Sequence, residues 1–232
     1  MYFQLTIAPQ VLQSYPHYSA LIIYARSLVN GPGDAESTAL LRSAEQQCRA
    51  NLTVEDLPLH PHIAVWRETY KSFGAKPKKY PCSLEALLAR TLKGQDLPTI
   101  NRLVDVYNAI SLKHFLPVGG EDWDALTSDL CLKFAAGNEP FLTMREGQEE
   151  VTYPGPGEVI WADQAGVTCR RWNWRQGRRT QLTTETRSVY FVLDRLAPYT
   201  IEALLAAGED LTCLLKSYFP ACTITSTLLG DQ

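Results

Sequence analysis

The sequence predicts an α+β fold, with helices gathered early in the chain and short strands gathered late. Three observations carry this. Apolar residues recur at helical spacing between residues 34 and 111, the period drops toward two from about residue 130, and no flexible linker marks a boundary near residue 60. A single compact domain over residues 1–232 follows, with a strand–helix elaboration over 1–60 and the motif-bearing core over 61–232. Its short mixed strands are expected to form a central sheet or barrel-like core with flanking helices.

Taken in order, Phe3, Leu5 and Ile7 alternate as a strand, and Pro9 opens a short turn or helix. Residues 18–28 are rich in aromatic and β-branched side chains, and Leu21-Ile22-Ile23 suits a strand buried on both faces. Asn30-Gly31-Pro32-Gly33 ends it with turn-forming residues. A helix over 34–50 places Leu40, Leu41, Ala44 and Cys48 on one side. The next, over 62–73, carries Val65, Trp66, Thr69, Tyr70 and Phe73 along a stripe closed by Gly74. Ser83 is the expected N-cap of a helix over 84–93, which Gly94 stops. Thr99 is the expected cap of another, whose apolar face runs through Ile100, Leu103, Val104, Tyr107 and Ile110 until the break at 117–120. Strands are expected at 130–134, 141–144, 159–163, 167–172 and 189–193, between Gly- and Pro-rich turns of which 153–157 is the strongest. A helix over 201–218 and a strand over 223–228 complete the chain.

Composition narrows the function. At 45% hydrophobic and 20% charged residues, disorder, collagen and coiled coil are excluded. No apolar run reaches the roughly 18 residues of a membrane span, and residues 1–10 lack the layout of a signal peptide, so a cytoplasmic protein without a membrane partner is expected. The net charge of -3 speaks against a broad non-specific nucleic-acid surface, and with it against DNA, while leaving room for a local basic site. The six cysteines are scattered with no CxxC pair, so neither zinc spacing nor a redox motif is present and reduced thiols are expected. His60-Pro61-His62 brings two imidazoles close without further ligands, which does not make a metal site. P-loop, GxGxxG, GxSxG and HExxH patterns are absent, and no cofactor is called for.

Two constellations stand out. On the helix expected from Thr99, Asn101, Asp105 and Asn108 fall within an arc of roughly 60°, beside the apolar stripe. Two amides and a carboxylate there suit a polar substrate or a water, or equally tie the helix to neighbouring loops. The second is Arg170-Arg171-Trp172-Asn173-Trp174-Arg175 followed by Arg178 and Arg179, without an acidic residue. Guanidinium forks bind phosphate and indole faces stack on bases. A strand through it would put both tryptophans on one face, with Asn173 and Arg175 on the other. Alternatively the tryptophans are core and the arginines a solvated hairpin. A further basic stretch, Arg67, Lys71, Lys76, Lys78 and Lys79, either extends a phosphate-binding surface or is merely solvated.

Together, Trp66-Arg67 with Tyr70 and Phe73-Gly74, Ser83 through Leu87, and Leu97 through Asn108 form a recognisable series. It continues in Gly137-Asn138-Glu139, Gly157-Glu158-Val159 with Asp163, and Cys169 through Arg175. The chain resembles a freestanding B3/B4-domain protein and is similar to the editing module of the bacterial phenylalanyl-tRNA synthetase β subunit, over about residues 3–228. That module hydrolyses tyrosine wrongly esterified to the phenylalanine tRNA. The resemblance therefore implies a trans-editing aminoacyl-tRNA deacylase with tRNA or aminoacyl-tRNA as partner, and no ligase activity. Asn108 matches the asparagine lining the family's pocket. Gly119 stands at its pocket histidine and Arg178 at its pocket glutamate.

On that footing Asn108 and Asn101 orient water or the substrate amine, Asp105 fixes the helix or binds the α-ammonium, and Arg175 with Asn173 holds the terminal ribose or oxyanion. Glu158 and Asp163 are further ammonium candidates, and Arg67, Lys71, Arg170, Arg171, Arg178 and Arg179 are the expected tRNA contacts. A non-catalytic tRNA- or RNA-binding module and an amino-acid-like small-molecule binder are the competing readings.

Overall fold

The computed structural model describes residues 3–230. Its centre is an antiparallel sheet of β2 (Tyr18–Arg26), β3 (Val118–Asp122), β10 (Val189–Leu196) and β11 (Thr223–Gly230), in the order β11-β2-β10-β3. Every residue of β10 is buried, as expected for a strand covered on both faces. Alternation sorts its side chains. Val189, Phe191 and Leu193 join Leu21 and Ile23 of β2 against α5 (Arg102–His114) and α6 (Ile201–Tyr218), whereas Tyr190 and Val192 join Ala20 and Ile22 on the opposite face. Gly208 lets α6 settle on the sheet, since a Cβ there would stand 2.2 Å from Leu21 Cδ2.

The opposite face meets a second sheet, in the order β1-β4-β7-β8-β9, of β1 (Leu5–Ile7), β4 (Leu130–Phe134), β7 (Val159–Asp163), β8 (Gly166–Arg170) and β9 (Arg175–Gln176). Val159, Trp161 and Cys169 point into the shared core, while Ile160, Ala162 and Val167 pack outward with Phe141 of a separate hairpin, β5 (Phe141–Arg145) and β6 (Gln148–Thr152). The fold is thus α+β, and the core is two packed sheets rather than a closed barrel. Helices α2 (Ala35–Asn51), α3 (Pro61–Ser72) and α4 (Ser83–Leu92) flank it, with the short α1 (Pro9–Ser14) near the start.

Local chemistry explains where several elements begin. Asp34 and Ser37 form a reciprocal capping box at α2. Asn101, not Thr99, caps α5: its Oδ1 accepts from Val104 N at 3.1 Å. Cys82 rather than Ser83 precedes α4, and Ser83 is its first helical residue. The glycine-rich break expected at 117–120 is instead the start of β3, where Gly119 and Gly120 pair with Val192 and Phe191. β6 carries no apolar alternation and was not legible as a strand.

The largest departure lies between β8 and β9. Residues 171–174 form no strand. Arg171 and Trp172 take left-handed backbone conformations, φ 46° and 66°, which non-glycine residues adopt at a cost of about 1–3 kcal/mol each. Trp172 is fully buried, and Tyr15, Tyr18 and Trp66 meet it edge-on at centroid distances of 4.9, 4.7 and 5.4 Å. Its backbone N–H donates to Val159 O at 2.7 Å. The turn thereby holds Trp172 in the core while Asn173, Trp174 and Arg175 are presented to the gap between the sheets. Trp172→Ala is expected to lower unfolding free energy by about 3–5 kcal/mol in urea titration; a change below 1 kcal/mol would show that the indole does not anchor the turn.

Candidate functional site

A cavity of about 220 Å³ opens between the two sheets. β3 and β10 supply Glu121, Tyr190, Val192 and Asp194; β7, β8 and β9 supply Trp161, Cys169 and Gln176. Ser83 and Leu87 of α4 and Tyr107 and Asn108 of α5 close two sides, and the 172–175 turn closes the rest. The volume is below the roughly 300–1,000 Å³ of sites that enclose drug-sized ligands. It suits a group the size of an amino acid.

Two carboxyl groups that sequence reasoning did not single out line this cavity. Asp194 is 2% exposed; Tyr18 Oη donates to its Oδ1 at 2.5 Å and Asn173 Nδ2 to its Oδ2 at 3.0 Å. Burial outweighs both bonds and pushes its carboxyl up to about 6. Glu121 Oε2 accepts from Tyr190 Oη at 2.6 Å and Thr180 Oγ1 at 2.7 Å, and burial raises this carboxyl too. Because Glu121 pairs with Tyr190 in the register, and Asp194 lies four residues along β10, the two acids stand toward opposite ends of one sheet face. The signal was present in the sequence: an acid directly after the apolar run 189–193, and another directly after Gly119-Gly120.

Ser83 Oγ is buried at the cavity wall without a hydrogen-bond partner among the described residues. Burial also raises the Cys169 thiol, so it stays protonated and is a poor nucleophile. Gln176 spans the gap between the sheets, its Nε2 donating to Gly120 O at 3.0 Å. A Cβ on Gly119 would stand 3.0 Å from that nitrogen. Glycine at 119 therefore makes room for the glutamine, and no side chain projects into the cavity from the position that the resemblance equates with a histidine.

Of the residues singled out from sequence, Asn108, Asn173 and Arg175 meet at this cavity. Asn108 is half-buried, and its amide has no hydrogen-bond partner among the described residues. Arg175 is exposed at the rim with its guanidinium 4.7 Å over the Trp174 ring and no anionic partner among the described residues. Asn173 is occupied, accepting from Tyr70 Oη at 2.8 Å while donating to Asp194.

The other candidates lie elsewhere, with their polar groups engaged. Asn101 caps α5, accepts from Asn30 and donates to Leu182 O. Asp105 is fully buried and accepts from Ile100 N and Ser37 Oγ, both at 3.0 Å. Glu158 takes a bidentate pair from Arg170 at 2.8 Å and a third contact from Arg171 at 3.3 Å. Asp163 binds Arg179 at 2.6 Å and accepts from the Thr127 N–H and hydroxyl. Arg67 pairs with Glu85, Lys71 with Glu68, and exposed Arg178 donates to the neutral Gln181. Arg171 is also wedged 3.8 Å over the Tyr80 ring and 4.6 Å over that of Trp174. The arginine run is thus largely neutralised within the fold, which leaves Arg175 and Arg178 as its outward-facing members. His62, of the paired imidazoles, faces Phe115 O through Nδ1 at 2.9 Å and accepts from the Trp66 indole N–H through Nε2. No described helix is long and apolar enough to cross a membrane, and the cysteines are free thiols.

An N-terminal fragment of the phenylalanyl-tRNA synthetase β-subunit from Pyrococcus horikoshii is similar in structure at a TM-score of 0.47 and 11% identity, the match covering 100% of this chain and 55% of that one. The chain spans about half the length of that fragment. No curated protein matches it. The family model for the B3/4 domain matches residues 65–206, more than half of the chain and a span that contains every residue lining the cavity. The chain belongs to the B3/4 domain family.

Proposed function

We propose that this protein hydrolyses the ester of a mischarged aminoacyl-tRNA, acting in trans. The observation that carries the reading is the cavity itself: it is amino-acid sized, has a buried carboxyl at its wall, and is lined by the unpartnered amide of Asn108 and by Arg175 at the rim. Membership of the B3/4 domain family, together with the motif resemblance to the editing module of a phenylalanyl-tRNA synthetase, supports a tRNA-linked substrate.

The chemistry asks little of the protein. An ester to a ribose hydroxyl is already activated, so a held substrate, a positioned water and a donor for the developing oxyanion suffice. Asp194 receives the α-ammonium, and Asn173 holds that carboxylate in place. The Asn108 amide orients the water or the ester carbonyl, and Arg175 at the rim offers positive charge to the oxyanion or ribose side. Asn101 and Asp105 serve indirectly by fixing the first turn of α5, which carries Asn108. Apolar walls at Leu87, Val118 and Val192 select the side chain.

One observation favours a second reading. The cavity is of a size for one amino-acid-like group, which also fits a binder of free amino acids. Such a binder is expected to gain thermal stability with a free amino acid and to cleave no ester.

Incubation with a panel of mischarged tRNAs is expected to release amino acid from at least one, and Asn108→Ala to lower kcat on the order of 10²-fold, the loss of one oriented donor. Absence of turnover across the panel removes the hydrolase reading. A non-catalytic RNA-binding module would then show salt-sensitive tRNA binding alone.

Asp194 gives a pH signature. Its carboxyl titrates near 6 in the fold, above the ordinary 3.8, so the native state binds the proton more tightly than the unfolded chain. The stability from this group is fully present below about pH 4 and is lost as pH rises through 6, an effect of about 3 kcal/mol. Urea unfolding from pH 4 to 8 is expected to show this decline, and Asp194→Asn to flatten it. Hydrolysis should move the opposite way, with kcat/KM rising through pH 6 as the carboxylate forms. A flat profile in both would remove Asp194 from the site.

A further inference from the structure

The central sheet ends in two very different strands. At one edge β3 carries Glu121 and Asp122 and leads into the cavity. At the other lies β11, eight residues in unbroken register with β2 and paired with no further strand among the described residues. From Thr223 to Gly230 it holds no charge and no proline, and none of its residues is buried. An edge strand presents a row of unpaired N–H and C=O groups, and proteins blunt such rows by shortening, charge, proline or a bulge. The other strands at sheet ends follow this rule. β1 and β9 have three and two residues, β3 has its two acids, and the hairpin strands β5 and β6 carry Arg145 and Glu149-Glu150. β11 has none of these devices.

Its side chains also suit a copy of itself. Thr225 and Thr227 look out on the side toward β1, whereas Ile224 and Leu228 pack on the side of α5 and α6. Side chains directly opposite in an antiparallel pair share a face of the sheet. A two-fold axis perpendicular to the sheet must therefore pass beside a residue that meets its own copy. With the axis at Ser226, Ile224 meets Leu228 of the second copy and Thr225 meets its Thr227, while Thr223 meets Leu229 at the ends. Aliphatic pairs and hydroxyl pairs are both stabilising across strands. A register shifted by two residues would set Ser226 against Ile224 or Leu228 and lose the aliphatic match.

We infer that β11 pairs antiparallel with β11 of a second copy of this chain, joining two four-stranded sheets into one of eight strands. The neutral, self-matching sequence identifies the occupant: no complementary charge is offered to a charged partner, and each residue type finds its like. Such a contact is isologous, so it closes as a dimer and does not run on into a fibre. The two β3 strands then lie seven strand spacings apart, roughly 34 Å at about 4.8 Å each. The pairing leaves both cavities open and is independent of what they bind.

Sedimentation velocity on the full chain, from micromolar to submillimolar concentration, is expected to show a mass rising toward twice 26.0 kDa. Ser226→Lys sets two ammonium groups face to face at the axis and is expected to weaken association about fivefold, since like charges directly opposite are destabilising. Ser226→Glu is expected to do the same. An equimolar mixture of the two variants is expected to associate at least as tightly as the unaltered chain, because residue 226 faces its own copy. That recovery also shows that both variants are folded. A mass of 26.0 kDa at every concentration gives the edge to a different occupant and overturns the inference. Association that ignores Ser226→Lys, or a mixture no tighter than the single variants, overturns it as well.

Discussion

The burial of Trp172 is the constraint on which the site depends. Two consecutive non-glycine residues with positive φ do not persist unless their surroundings over-determine them. Here an indole without solvent exposure, ringed edge-on by Tyr15, Tyr18 and Trp66, offsets that strain. The next three side chains are then directed away from the core. Asn173 reaches Asp194, Trp174 is clamped under Arg171, and Arg175 lies over Trp174 at the rim. Core packing on one side of the turn thus sets polar geometry on the other.

The carboxyl groups show the opposite economy. A buried Asp194 whose proton is held up to about 6 is less favourable for folding at neutral pH than an apolar residue of its size would be. Its two neutral partners, Tyr18 and Asn173, soften that cost without removing it. Glu121, satisfied by two hydroxyls, behaves likewise. Polar groups placed against stability and facing a cavity are what a binding site requires. The arginines beside them are arranged differently. Arg170 and Arg171 close on Glu158, and Arg179 on Asp163, so much of the local basic charge serves the framework.

Much of the fold was legible in the chain. Apolar periodicity located the helices and most strands because each buries one continuous face. The glycines of β3 hid a strand, since Gly119 and Gly120 carry no side chains to show alternation and are required by Gln176 and Phe191 packed against them. The hairpin strand β6 was missed because its side chains are mostly solvated. The Arg-Trp segment read as a strand because aromatic alternation imitates one; only the burial of Trp172 across the core reveals the turn. At the site, Asn108 and Arg175 were identifiable by type and resemblance, whereas their convergence depends on how α5 packs against β3 and on the turn. Asn101 and Asp105 share a stripe with Asn108 in projection, but one sits at the helix cap and the other turns inward to Ser37. The acids Glu121 and Asp194 escaped notice because strand burial on both faces masks which side chain meets a cavity.

The proposed function requires an aminoacyl group in the space between the sheets, with its amine at Asp194 and its carbonyl beside Asn108. A crystal structure with a non-hydrolysable 3′-aminoacylamino-adenosine tests this most directly. The expected density has the ammonium within hydrogen-bond distance of the Asp194 carboxylate and the amide carbonyl facing Asn108. An analogue bound on another face of the molecule, or lodged with its amine away from Asp194, would contradict the account.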